Sequence, residues 1–134
     1  MIEALRWVLV VPAAVAGWWL AFAIGLWLHF YLEKALCPPE DIVSGFCHNH
    51  NVVLFLKVLK HAAVGVSAIV VCVVSPIVAP SHKTIVAVIA LLAGSAFAVS
   101  FFWQVKEWSL LGVAIGSGIA ATSLVGWHQR RKNA

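Results

Sequence analysis

The residues of this 134-residue chain best suited to chemistry are Lys57, Lys60 and His61, set within an otherwise apolar stretch. Separations of three and four positions put them on one helix face. Two ammonium groups and an imidazole so grouped form a cationic site for an anionic ligand or lipid headgroup, or for an acidic residue such as Glu33 or Glu107. A lysine at the centre of a bilayer costs about 2.5 to 3.5 kcal/mol, so the pair belongs near an interface, its amines reaching toward water.

A second group lies between positions 37 and 50. Cys37 and Cys47 bracket Pro38-Pro39-Glu40-Asp41 and Ser44-Gly45-Phe46. A disulfide between them would close a compact lid and contribute ~2 to 3 kcal/mol in the chain-entropy view. Cys47, His48 and His50 also offer three metal ligands within four residues, with Cys37 and His29 as additions. No CxxC or HxxxH spacing accompanies them, so the disulfide is the expectation and a metal is not. Cys72 stands alone in an apolar run and is expected to be a packing residue.

Other chemistries find less support. A bis-histidine haem would require His29 and His61 at one depth, facing each other, and no further residue points that way; no cofactor is expected. The chain has no Ser/His/Asp set, no HExxH and no glycine loop for phosphate. No Asp or Glu lies within an apolar run, which argues against a proton relay. Small four-helix multidrug transporters share this length but depend on a membrane-embedded Glu that is missing here. An enzyme working on lipid with His48 or His50 as base is the weakest reading.

The elements that must position these residues are four apolar runs, roughly 7–31, 52–79, 84–103 and 108–127. A hydrocarbon core of about 30 Å needs ~20 residues of helix, and each run meets that length. Composition agrees: the chain is 63% hydrophobic and 10% charged, with mean hydropathy +0.98, where a soluble domain carries about 25% charged residues. The expected fold is an all-α integral membrane protein, an antiparallel up-down-up-down four-helix bundle. It occupies 1–134 as one domain, with 33–51 as its outer loop. Arg6 and Ala14-Val15-Ala16 give the first run some features of a signal peptide, but its apolar stretch continues well past that point, and it is expected to remain as a span.

Orientation follows from the cations. Arg6, Lys83, Arg130, Arg131 and Lys132 share one side, which the positive-inside rule makes cytoplasmic, against Lys34 and Lys106 on the other. Counting Lys57 and Lys60 as outer narrows the difference. Both termini are then expected in the cytoplasm of a cell bounded by a plasma (inner) membrane, and the Cys37/Cys47 loop falls outside, where disulfides persist. The net charge of +4 owes much to the 130–132 cluster, which suits anionic lipid headgroups, and no nucleic-acid partner is expected. Trp7 and Trp127 fall at inner ends and Trp27, Tyr31, Trp103 and Trp108 at outer ends, as interfacial belts require. Trp18 and Trp19 break this pattern near mid-span.

Association in lipid relies on small residues that let backbones approach. Ala13, Gly17, Ala21 and Gly25 form one such stripe; Gly112, Gly116, Ala120 and Ser123 form another; Ala90, Gly94 and Ala98 a third. Each predicts a close contact, within the bundle or with a partner. The second run, from 51 to 80, is ~45 Å long as a helix and exceeds the hydrocarbon thickness, so its 51–60 part either projects or tilts. Pro76 is expected to kink or end that helix and Pro80 to begin the following turn. Two function classes follow. One is a non-catalytic accessory subunit that binds a larger membrane complex through helix faces and its outer loop. The other is a small oligomeric transporter, channel or lipid-handling protein using Lys57, Lys60 and His61.

Overall fold

The computed structural model describes residues 2–133, with side-chain surroundings for residues 3–131. Met1, Ala134 and the Lys132 side chain lie outside that description. Four helices make up most of the chain: α1 (Ile2–Leu36), α2 (His50–Val78), α3 (Lys83–Val105) and α4 (Trp108–Asn133). All four are long and apolar enough to cross a membrane. α1, α3 and α4 overrun their apolar runs, most at α1, because flanking Glu, Arg and Lys residues are good helix formers and a helix need not stop where apolar sequence does. α2 instead starts two residues early and stops one residue short.

Two connections are tight. His82 (φ 50°) precedes α3 and Lys106 (φ 55°) follows it, both left-handed without being glycine. That conformation costs a residue with a Cβ roughly 1 to 2 kcal/mol, which the reversals in 79–82 and 106–107 impose. The connection between α1 and α2 has structure of its own. After a 3-10 turn (Pro39–Asp41) come β1 (Ile42–Val43) and β2 (Phe46–Cys47), an antiparallel pair. Ser44 (φ 53°) and Gly45 (φ 85°) make its two-residue turn, with both φ positive as the strand twist favours.

The ends of α2 are satisfied from outside the helix. Asn49 caps its start, its side-chain oxygen accepting from the Asn51 and Val52 N–H groups. At its finish, Arg6 of α1 donates from Nε to the Val78 carbonyl at 3.1 Å and from Nη2 to the Ile77 carbonyl at 3.4 Å. A cation there meets the orphaned carbonyls and the negative end of the helix dipole. The helix does not end at Pro76 but continues to Val78, stopping before Pro80.

Packing centres on α2, which touches α1, α3 and α4, while α3 also touches α4. Partner positions have a simple order. Arg6, Gly17 and Gly25 of α1 meet Val78, Val70 and Ala63 of α2, so one number falls as the other rises. Ser109, Val113 and Gly118 of α4 meet His61, Gly65 and Cys72 of α2, rising together. Thr84 and Leu91 of α3 meet Gly126 and Gly118 of α4. Small residues allow these approaches: a Cβ on Gly25 would lie 2.8 Å from Ala63 Cβ, and one on Gly118 would lie 2.7 Å from Leu91 Cδ1.

The small-residue stripes divide. Ala13, Gly17, Ala21 and Gly25 are half-buried, and both glycines face α2. Gly112, Gly116 and Ala120 are exposed, and nothing lies within 4 Å of a Cβ placed on Gly112, Gly116 or Gly94. The buried α4 face holds Leu110 and Gly118, two positions out of register with the stripe and so on the other side of the helix, together with Ala121, one position past Ala120. Trp18 packs edge-on against Phe97 of α3 at 5.5 Å, whereas Trp19 points outward.

Candidate functional site

Lys57, Lys60 and His61 lie along the α2 surface, but only the last two face α4. Lys60 Nζ donates to Glu107 Oε1 at 3.3 Å across the turn between α3 and α4. The pair is half open to its surroundings, at 43% and 41% exposure. His61 sits between two oxygens, with Nδ1 2.7 Å from the Lys57 carbonyl and Nε2 3.1 Å from Ser109 Oγ. A carbonyl only accepts, so Nδ1 donates to it, while the serine hydroxyl can donate to or accept from Nε2. Lys57 is exposed, and its ammonium makes no hydrogen bond among the described residues. The geometry is that of a polar clasp joining α2 to the start of α4, with one free cation beside it. Glu33, the other acid considered as a partner, is engaged elsewhere.

That second engagement builds the lid. Cys37 and Cys47 are joined in a disulfide with Cα atoms 5.9 Å apart, ten residues apart in sequence. Glu33 Oε1 accepts the Cys47 N–H at 3.3 Å, tying β2 to the last turns of α1. Asp41 receives two bonds, its carbonyl from the His48 N–H at 2.9 Å and its Oδ2 from Asn49 Nδ2 at 2.8 Å. Asn49 therefore holds the lid with its amide and caps α2 with its oxygen. A cavity of about 260 Å³ remains under the lid, bounded by Phe30, Lys34, Ile42, Phe46 and the disulfide. With both lid sulfurs joined, neither is available as a thiolate. Among the described residues no three His, Cys, Asp or Glu side chains converge as metal ligands. His29 packs edge-on to Phe30.

Several of these roles had no signal in residue type alone. Arg6 resembles any flanking cation, and its reach to the Val78 carbonyl depends on the register of α1 against α2. Ser109 is an ordinary polar residue early in a helix until His61 is set opposite it. Asn49 was legible in principle, since Asn directly before a helical run is a strong capping choice. The dipeptide Ser44-Gly45 between Ile-Val and Phe likewise carries a hairpin signal.

No protein family, curated protein or solved structure matches this chain.

Proposed function

We propose that this chain is a small multi-pass membrane protein and a non-catalytic accessory subunit that docks a larger membrane complex through a head projecting from the outer face. The observation that carries this is a difference in helix length. Arg6, Val78, Lys83 and Trp127 gather at one end, while Trp27, Lys60, Lys106 and Trp108 gather at the other. The segments between them are roughly 27 to 35 Å long at 1.5 Å per residue, which suits a hydrocarbon slab of about 30 Å. The order of partner positions supports four spans in an up-down-up-down arrangement, and the cation bias supports both termini on the cytoplasmic side. A disulfide at the opposite end accords with an oxidising exterior and a plasma (inner) membrane location.

Beyond the Lys60/Glu107 level only half of the molecule continues. α2 extends about ten residues further, roughly 15 Å of helix, with the end of α1 beside it and the lid on top. This head exposes Ile42, Val43, Phe46, Val53, Leu54 and Phe55, with Phe46 at 69%. In the proposed placement these residues stand above the hydrocarbon slab. Apolar surface in water at such a place marks a protein contact. Lys60, spent on Glu107, contributes less to an anionic cargo site than a free pair of lysines would, which disfavours the transporter alternative.

A photo-crosslinking amino acid at Phe46 or Phe55, compared with one at the exposed mid-helix Leu92, tests the proposal in native membranes. The head positions are expected to give one discrete protein adduct, and Leu92 to give lipid adducts only. Adducts of this chain solely with itself, or no protein adducts at the head, would overturn it.

A further inference from the structure

At the opposite end, we infer that the groove between the start of α3 and the last turns of α4 binds an anionic phospholipid of the inner leaflet, phosphate at its mouth and an acyl chain along its floor. The inference rests on the membrane placement proposed above. The groove has a volume of about 570 Å³, and its walls change character along its length. Gln129, Arg130 and Thr84 line it near the helix ends; Ser123 lies two turns further in; Leu91 and Ile119 line the deepest part, ~10 to 16 Å from the mouth by helix rise. A free anion needs only the first of these regions. A phospholipid needs all of them.

Hydrogen bonding bears on the same place, although Ser44, Ser95 and Gln104, away from the groove, also lack a side-chain partner among the described residues. The hydroxyls of Ser67, Ser75, Ser100, Ser117 and Thr122 each donate to a carbonyl of their own helix. Among the described residues, Thr84, Ser123 and Gln129, all lining the groove, have no side-chain partner, and no carboxylate pairs with Arg130. α3 also starts without a side-chain cap, because left-handed His82 supplies none, so its first N–H groups remain as donors. A second guanidinium stands close: Arg131 lies 3.8 Å above the ring of Trp127, which lines the groove. Of the five acids in the chain, Glu3 alone belongs to this end, so positive charge there is largely uncompensated.

The test uses the full chain reconstituted in vesicles of equal phosphatidylglycerol and phosphatidylcholine, released gently and weighed intact with bound lipid. Preferential retention of phosphatidylglycerol is expected. Arg130→Gln should lower that preference about five-fold, the effect of one interfacial cation. Thr84→Val combined with Ser123→Val keeps every charge and should also lower it, while Lys106→Gln at the other face should leave it unchanged. Equal retention of the two lipids by the unaltered protein would overturn the site. So would a Thr84→Val/Ser123→Val variant with undiminished preference, since diffuse attraction to basic residues would then suffice. Resistance of the same vesicles to alkaline extraction is scored in parallel: extractable protein would sink the membrane placement itself, whereas inserted protein without selectivity would sink only this site.

Discussion

Gly25 and Gly116 look alike in the sequence, each a glycine in a four-residue stripe, yet their surroundings differ completely. A Cβ at Gly25 would press on Ala63 Cβ at 2.8 Å, and an alanine methyl cannot move without its backbone. Gly25→Ala should therefore cost about 1 to 3 kcal/mol as α1 is pushed off α2, measured by thermal unfolding in detergent. Gly116 has nothing within 4 Å, so Gly116→Ala should be neutral or add up to about 1 kcal/mol through helix propensity. Arg6→Gln should cost about 1 kcal/mol in the same assay, since it removes the charge that meets the Ile77 and Val78 carbonyls. The Lys60/Glu107 pair is half exposed, so a double-mutant cycle to Leu at both positions should return a coupling below about 1 kcal/mol. Stripe spacing was legible at this scale, but which side of the helix meets a neighbour was not. That depends on rotation about the helix axis, which an evenly apolar helix such as α4 does not encode.

Among the elements, four helices could be read directly from apolar run length, because hydrocarbon thickness is a strong and local constraint. Helix ends were less accessible: α1 reaches Leu36 and α2 begins at His50, so the irregular connection is shorter than the 33–51 loop drawn from polarity. Polarity reports solvent, whereas a helix end reports capping, and Asn49 rather than Val52 sets where α2 starts. The fate of Pro76 shows the same limit, since helix can continue past a proline when neighbouring side chains hold it in place, and Pro76 is buried. The lid makes its own prediction. Cys37→Ser with Cys47→Ser should lose ~2 to 3 kcal/mol of chain-entropy restraint, concentrated in 37–49. Limited proteolysis should then cut that segment well before any helix, and equal resistance in the variant would mean that the Glu33 and Asn49 bonds suffice without the sulfurs.

For the whole molecule, the main consequence is asymmetry along the axis normal to the proposed membrane: four helices within the slab and two above it. Phe46→Asp together with Phe55→Asp should abolish migration with a larger complex on native gels while leaving membrane insertion and the disulfide intact. Unchanged migration would move the contact to the helix faces, where the outward stripe at Gly112, Gly116 and Ala120 is the next place to look. The central position of α2 has a further consequence for synthesis. A ribosome delivers α1 before α2, its principal contact, and neither α3 nor α4 takes over that role. Most of what secures α1, from the Gly17 and Gly25 contacts to the Arg6 cap and the paired thiols, is encoded before residue 80, and Trp18 against Phe97 of α3 is the later addition. The first half can thus assemble and be oxidised while the second is still being translated, leaving the finished hairpin as the template on which the last two helices dock.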